Sequence, residues 1–153
     1  MPYSTPLPEE RAARAYGNEL RTSWKNAINI TRAIKGMKVR KAETYLEEVI
    51  ALKRAVPFTV RNRKVAHRPG MGPGRYPQKS AKRTLDTLRN AINNAEYQNL
   101  DPDNMVIIHA QAYKGRTLPG WMPRAMGRAT PKNEETCNIE IIIQEFDEDE
   151  EDS

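Results

Sequence analysis

The C-terminal third of the chain contains the stretch Cys137-Asn138-Ile139-Glu140-Ile141-Ile142-Ile143-Gln144, in which the apolar residues at 137, 139, 141 and 143 alternate with polar ones at 138, 140 and 144. A period of two predicts a β-strand with one face in the core and the other in solvent. The apolar run Met105-Val106-Ile107-Ile108 predicts a second strand. Residues 104–133, which separate the two, contain no acidic residue and five basic ones. A structureless loop of that length is uncommon in a compact domain, so this segment needs a regular structure.

We therefore predict that the two strands belong to a long two-stranded ribbon that turns near Pro119-Gly120. Arms of ~13 residues at ~3.3 Å per residue would reach ~40 Å, beyond the radius of the domain itself. Because an isolated hairpin is only marginally stable in water, such a ribbon requires something outside the protein to pack against.

The first two thirds of the chain favour three helices and one further strand. Apolar residues at helical spacing predict helices over residues 23–36, 42–50 and 79–100, and residues 11–20 predict a short strand. Residues 57–78 contain four prolines and three glycines. This composition predicts a long loop that is mobile in the free protein and becomes ordered on a partner.

The charge is divided between a basic body and an acidic tail. The 153 residues have a net charge of +5, but residues 147–152 hold six of the 20 acidic groups, which leaves 14 against 25 basic ones. A body of about +11 favours a polyanionic partner, either nucleic acid or an anionic membrane. No apolar run approaches the ~18 residues that span a bilayer, so we expect no membrane segment. We predict one domain over residues 1–146 and a disordered acidic tail over 147–153.

Two windows free of acidic residues contain the candidate binding residues. The first, residues 49–85, contributes Lys53, Arg54, Arg61, Arg63, Lys64, His67, Arg68, Arg75, Tyr76, Lys79, Lys82 and Arg83. The second contributes Lys114, Arg116, Arg124, Arg128 and Lys132. Arginines bridge phosphate oxygens and aromatic rings stack on unpaired bases, which is the chemistry of RNA binding. No recognition helix, zinc finger or basic zipper is apparent, so RNA is favoured over DNA.

Arrangements typical of enzymes fail on chemical grounds. The run Gly70-x-Gly72-x-Gly74 lacks the Gly-Lys-Ser/Thr ending of a phosphate loop. His109 and Cys137 could face each other across paired strands, but a lone cysteine at an inward strand position is typical of a small core residue. Asp86 and Glu96 lie ten residues apart on the third predicted helix, where solvated charges are common. We predict no catalytic residue, no cofactor and no metal. The single cysteine suits a reducing cytosol.

Several short motifs follow one another in an order that resembles a known family. They are Arg40-Lys41-Ala42, Arg54-Ala55-Val56-Pro57-Phe58, Gly74-Arg75-Tyr76-Pro77, Asn90-Ala91-Ile92-Asn93-Asn94-Ala95-Glu96-Tyr97, Met122-Pro123-Arg124-Ala125-Met126-Gly127-Arg128-Ala129 and Ile139-Glu140-Ile141. Over residues 12–145 this ordered set resembles the universal large-subunit ribosomal protein family numbered twenty-two in bacteria and seventeen in eukaryotes. Residues 57–78 resemble its archaeal and eukaryotic members.

The resemblance implies an α+β fold, with three helices packed on a three-stranded antiparallel sheet and a long protruding β-hairpin. It implies a cytoplasmic structural protein of the large ribosomal subunit, with large-subunit rRNA, neighbouring ribosomal proteins and the nascent polypeptide as partners and no homo-oligomer. The globular part would lie near the exit of the nascent-polypeptide tunnel.

The hairpin would line the tunnel itself, with a tip at residues 118–124 where Leu118, Trp121 and Met122 face the nascent chain. Arg124 and Arg128 match the basic motif of the family and would contact rRNA. Two other classes stay open on residue chemistry alone: a nucleic-acid-binding protein outside the ribosome, and an RNA-processing enzyme.

Overall fold

The computed structural model describes residues 3–6 and 11–145, so the predicted acidic tail lies outside the described residues. The helices are α1 (Trp24–Ile34), α2 (Val39–Ile50) and α3 (Gln78–Tyr97). The strands in chain order are β1 (Ala12–Leu20), β2 (Val56–Pro57), β3 (His67–Arg68), β4 (Gly72–Arg75), β5 (Met105–Leu118), β6 (Trp121–Pro123), β7 (Ala129–Pro131) and β8 (Glu134–Glu145). A 3-10 turn, Pro102–Asn104, precedes β5. Among the described helices, none combines the length and the apolar composition needed to cross a bilayer.

The main sheet is antiparallel, with strand order β1-β8-β5. The alternating C-terminal stretch therefore forms the central strand, and Ile141 of β8 lies between Ala15 of β1 and Ala110 of β5. The three helices pack on this sheet. The predicted α+β fold is confirmed, as is the short strand over residues 11–20.

The core lies between the sheet and the helices. Ile30, Ile34, Leu46 and Leu88 of the helices are fully buried, together with the inward isoleucines of β8. Burial of each such side chain contributes about 1.5–3 kcal/mol. Ile34, Leu46 and Leu88 belong to the apolar stripes that the helical spacing predicts, whereas Ile30 is a core position outside the predicted stripe of its helix.

The outer face of β8 differs from the prediction of a solvent-facing surface. Glu140 is 0% exposed, because residues 3–6 cover this face of the sheet. The backbone N–H and the hydroxyl of Ser4 donate to the two carboxylate oxygens of Glu140, at 3.2 and 2.8 Å. The Tyr113 hydroxyl donates to the same carboxylate at 3.2 Å, and Nε2 of His109 lies 3.1 Å from it. These partners replace the water that a buried carboxylate loses.

The predicted long loop over residues 57–78 contains a small antiparallel sheet of order β2-β4-β3, which its composition did not indicate. Phe58 and Val65 are buried beneath it. The side-chain oxygen of Asn29, on α1, accepts hydrogen bonds from the backbone N–H groups of Thr59 and Val60, both at 3.1 Å. The segment is thus fastened to the domain by an apolar contact and by a buried amide.

The ribbon is present, but its predicted turn at Pro119-Gly120 is wrong. Strands β5 and β8 pair as far as Leu118 and Glu134, and β6 and β7 continue the ribbon beyond them. The chain reverses within 124–128, where Arg124 N–H donates to the Arg128 carbonyl at 2.8 Å and Met126 and Gly127 have φ of 57° and 67°. Each arm is accordingly longer than the ~13 residues that strand periodicity predicts.

Gly120 has a different role in the ribbon. A Cβ at this position would lie 2.5 Å from the carbonyl oxygen of Lys132, and the Lys132 N–H donates to the Gly120 carbonyl at 2.6 Å. The two arms approach each other closely at this point, and only glycine leaves room for the approach. Pro119-Gly120 therefore has the composition of a turn, but it lies within the paired arms of the ribbon.

Candidate nucleic-acid interface

The small sheet β2-β4-β3 and its loops present five cations of the first window, while Lys79, Lys82 and Arg83 lie on α3. Arg61, Arg63, Lys64, Arg68 and Arg75 are all exposed. Arg61 and Lys64 have φ of 57° and 60°, so tight turns bring their side chains to the surface. In the part of the chain that the structure describes, none of these five side chains forms an ion pair with a carboxylate. Their charges are free to attract an external anion.

The guanidinium groups of four arginines of this window each pack on an aromatic ring. The guanidinium of Arg61 lies 4.4 Å from the ring centroid of Trp24, and those of Arg54, Arg68 and Arg75 lie 4.8, 5.2 and 5.7 Å from the rings of Tyr45, Tyr76 and Phe58. Cation–π contact restricts where each guanidinium points. Arg54 also donates to Glu48 and Arg68 to the Gly74 carbonyl, whereas the N–H groups of Arg61 and Arg75 have no acceptor within the described residues. The rings therefore orient arginines on this surface.

This arrangement differs from the prediction for the aromatic residues of the window. Tyr76 is half-buried, and one face of its ring is covered by Arg68, so on that side a base would meet the guanidinium and not the ring. Phe58 is 4% exposed and belongs to the core. His67, on β3, is exposed beside Arg68. Of the three rings in the window, the imidazole belongs to the one exposed residue.

Carboxylates neutralise a minority of the predicted binding cations. Among the described residues, Arg54 pairs with Glu48 at 3.4 Å, Arg83 with Asp86 at 3.5 Å, and Lys114 with Glu135 at 3.0 Å. Hydrogen bonds from Lys114 and then from Trp24 lower the pKa of Glu135. Exposed pairs of this kind contribute little to stability because solvent screens them, so a polyanion would replace the carboxylates at little cost.

A cleft of about 570 Å³ joins the first window to the base of the ribbon. Lys79 at the start of α3, Arg21 before α1, and Lys114 on β5 line it, together with the carboxylates of Glu134 and Glu135 on β8. The first turns of α1 and α3 carry no acidic side chain, and neither helix has a side-chain cap. Uncapped helix N-termini favour anions, and Arg21 and Lys79 add to that effect. Glu135 pairs with Lys114, so the anion-attracting side of the cleft is the one formed by the helix starts.

Arg21 is a site residue that reasoning from the sequence missed. Its side chain is exposed, and it lies two positions before the N-cap Ser23. The hydroxyls of Thr22 and Ser80, 2.6 Å apart, join the starts of α1 and α3 and so fix the walls of the cleft. A basic residue immediately before a helix start is the sequence signal that could have identified it.

The ribbon presents the second window. Lys114, Arg116, Arg124, Arg128 and Lys132 are exposed. All residues from 121 to 135 are exposed as well, so this part of the ribbon has no protein layer against either face. Nε of Arg124 donates to the Thr130 hydroxyl at 3.2 Å across the ribbon, which fixes that guanidinium beside the turn. The arms of the ribbon beyond the globular part are therefore basic and exposed on both faces.

The apolar side chains of the ribbon lie elsewhere than the predicted tip. Leu118, half-buried, and the exposed Trp121 and Met122 lie on the first arm, before the reversal at residues 124–128. Met126, which the sequence analysis did not assign to the tip, occupies the turn and is 94% exposed. Trp121 is 71% exposed. Apolar groups displayed in this way indicate a surface that is covered in an assembly.

The geometry gives no support to the enzymatic arrangements. Cys137 pairs in register with Lys114, whereas His109 pairs with Ile142, so the two side chains do not face each other. Burial raises the pKa of the Cys137 thiol to about 12, which keeps it protonated and unreactive at neutral pH. Over residues 3–6 and 11–145, no group of three or more His, Cys, Asp or Glu side chains could hold a metal ion.

Comparison with known proteins adds to this geometry. A family model described as ribosomal protein L22p/L17e matches residues 15–144. Curated proteins named large ribosomal subunit protein uL22 are similar over most of their length. The one from Methanothrix thermoacetophila is 58% identical over 141 residues, which is 90% of this chain and 93% of the relative. Those from Archaeoglobus fulgidus and Methanopyrus kandleri are 49% and 47% identical, with 91% and 94% of this chain and 92% and 94% of the relative covered.

Proposed function

This chain belongs to the ribosomal protein L22p/L17e family, and from that premise we propose that it binds large-subunit rRNA through its two basic windows. The family is structural and not enzymatic, and its members named above are proteins of the large ribosomal subunit, which is cytoplasmic. The chain is accordingly a structural constituent of that subunit, a position that implies rRNA and neighbouring ribosomal proteins as partners. We further propose that residues 1–146 act as one rRNA-binding domain.

The observation that carries the proposal is the unbalanced charge of the small sheet. Arg61, Arg63 and Lys64 lie within four residues of one another, are exposed, and have no carboxylate partner among the described residues. Repulsion between such cations is unfavourable unless counterions or a polyanion surround them. Binding of RNA releases the counterions, and that release is the main source of affinity for phosphates.

The experiment measures how rRNA affinity depends on salt. In the triple variant Arg61→Ala, Arg63→Ala, Lys64→Ala, the slope of log affinity against log salt should become shallower by about two to three, because each lost phosphate contact removes ~0.7–0.9 from it. A matched control, Arg32→Ala, Lys35→Ala, Lys38→Ala, removes the same charge from exposed positions outside the two windows. Equal slopes for the two variants would mean that net charge, and not this sheet, governs binding.

We also propose that the ribbon lines the nascent-polypeptide exit tunnel, with the globular part near the tunnel exit. Three features support this: the basic arms, their length, and the exposed Trp121, Met122 and Met126 at the far end. The cations of the arms, from Lys114 to Lys132, suit phosphates along the ribbon. Uncharged side chains at the end suit contact with a passing polypeptide, together with Leu118 on the same arm.

A further inference from the structure

A polar pocket that belongs to neither basic window lies at the edge of the main sheet. Strand β1 is the edge strand on that side, because β8 is its one hydrogen-bonded neighbour in the described sheet. Helix α3 passes this edge and encloses, with β1 and the N-terminal segment, a space of about 390 Å³. The side chains that line it are Tyr3, Arg14, Tyr16, Asn90, Asn93 and Asn94. We call this space the asparagine pocket.

The three asparagines are not explained by the stability of α3. They occupy positions i, i+3 and i+4 and so share one exposed face of the helix. Asparagine is a poor helix former, and lysine, glutamate or alanine would stabilise this 20-residue helix better at exposed positions. The Asn94 amide donates to the Arg14 carbonyl at 2.9 Å, which ties α3 to β1. The amides of Asn90 and Asn93 have no hydrogen-bond partner within the described residues.

The rest of the pocket offers flat surfaces. The guanidinium of Arg14 lies 4.2 Å from the ring centroid of Tyr3, and the rings of Tyr3 and Tyr16 meet edge to face at 5.7 Å between centroids. Arg14 is exposed and forms no ion pair in the part of the chain that the structure describes. A guanidinium plane backed by a ring is a surface on which a nucleobase stacks.

We propose that the asparagine pocket binds one unpaired adenine of the rRNA, an inference that rests on the proposed rRNA-binding function. A carboxamide donates one hydrogen bond and accepts another, which matches N7 and the N6 amino group of adenine. A phosphate site would instead need several cations, as in the first window, whereas this pocket has one cation and three neutral amides. The pocket recognises the base, and the two basic windows bind the phosphate backbone of the same RNA.

The test compares the variant Asn90→Ala, Asn93→Ala with the control Asn18→Ala, Gln111→Ala, which removes two exposed amides outside the pocket. Affinity of the full chain for large-subunit rRNA fragments should fall roughly 10-fold or more in the pocket variant and hardly change in the control. The salt slope should remain that of the wild type, because no phosphate contact is lost. Alanine favours helix, so circular dichroism should show α3 intact.

Two further measurements identify the ligand. Arg14→Lys keeps the charge but loses the flat surface, so affinity should fall with an unchanged salt slope. Once crosslinking locates the adenine, its replacement by 7-deazaadenine should weaken binding of the wild type and leave the Asn90, Asn93 variant unaffected. If the base replacement and the asparagine substitutions do not have additive effects on affinity, N7 of the adenine is the hydrogen-bond partner of one of these amides.

Each outcome separates this inference from the proposed function. Suppose that the wild type binds rRNA and that the Arg61, Arg63, Lys64 variant shows the predicted shallower salt slope. If the asparagine variant then binds rRNA as tightly as the wild type, the pocket inference is wrong and the proposed function stands. If the wild type does not bind rRNA, both fail. If free-chain affinity is unchanged but subunits assembled with the asparagine variant lose a neighbouring protein, the occupant is a polypeptide and the adenine inference is overturned.

Discussion

At the scale of single residues, Glu140 shows how a position inside a regular strand pattern can be decided by a distant segment. Alternation along β8 predicts a solvent-facing side chain there, yet Ser4, 136 positions away in the chain, closes over it. Burial and a hydrogen bond with Tyr16 raise the pKa of Tyr113, so its hydroxyl stays protonated and donates to the carboxylate. No local pattern encodes such a contact, which is why the sequence could not predict it.

We predict that Glu140→Gln lowers the free energy of unfolding by about 1–3 kcal/mol. A carboxamide has one acceptor oxygen where the carboxylate offers two, so one of the Ser4 donors would face an amide N–H in a buried site. Urea denaturation measures the loss. The control is Glu134→Gln, an exposed residue of the same strand, which should change stability by less than ~0.5 kcal/mol. Equal effects of the two substitutions would contradict the assigned role of Glu140.

At the scale of elements, the helices and the main strands could be predicted because their apolar periodicity is local and agrees with their packing. The small sheet could not, since its composition is that of a loop and its attachment depends on Asn29, which lies in a different element. The ribbon turn was misplaced for a related reason. The close approach of Gly120 to Lys132 is a contact between arms, and sequence composition does not distinguish it from a turn.

The attachment of the small sheet leads to a graded prediction for amide hydrogen exchange in the free chain. The N–H groups of Phe58, Thr59 and Val60 donate to fixed acceptors and should be protected. Those of residues 61–64 should exchange quickly until rRNA is added, because exposed turns open with little free energy. Asn29→Ala should abolish protection at Thr59 and Val60 but leave α3 protected. Uniformly fast exchange over 58–64 in the wild type would show that the attachment does not hold in solution.

At the scale of the whole molecule, charge and apolar surface are distributed unequally along the ribbon. Among the described candidate residues, the cations that sequence reasoning proposed are all exposed, whereas the apolar side chains it placed at the tip lie along one arm. The charge windows were predictable because composition alone defines them. The shape of the far end was not, because it depends on where the arms stop pairing, and Met126 at the turn was missed as a result.

This distribution predicts a division of labour between Arg124 and Arg128 and the uncharged side chains around them. Charge reversal in Arg124→Glu, Arg128→Glu should impair subunit assembly, because a carboxylate 4 Å from a phosphate costs ~4 kcal/mol at an effective dielectric constant of ~20. The variant Trp121→Ala, Met122→Ala, Met126→Ala should leave assembly intact, since it keeps every cation and the backbone pairing of the ribbon. It should instead alter the translation of a stalling peptide, because those side chains are free to meet the nascent chain.

Both variants are incorporated in cells, and the yield of large subunits on a sucrose gradient is compared with the output of a stalling reporter. Leu52→Ala, Tyr97→Ala is the matched control, because it removes exposed apolar side chains that lie outside the ribbon and should change neither readout. If the arginines bind rRNA and the apolar end borders the tunnel, the two readouts must separate, since assembly depends on phosphate contacts and stalling on contact with the peptide. The opposite result would be that the arginine reversals are tolerated while the apolar variant fails to assemble. The two sets of side chains would then have the opposite roles, and the ribbon would be held in the subunit by its apolar end.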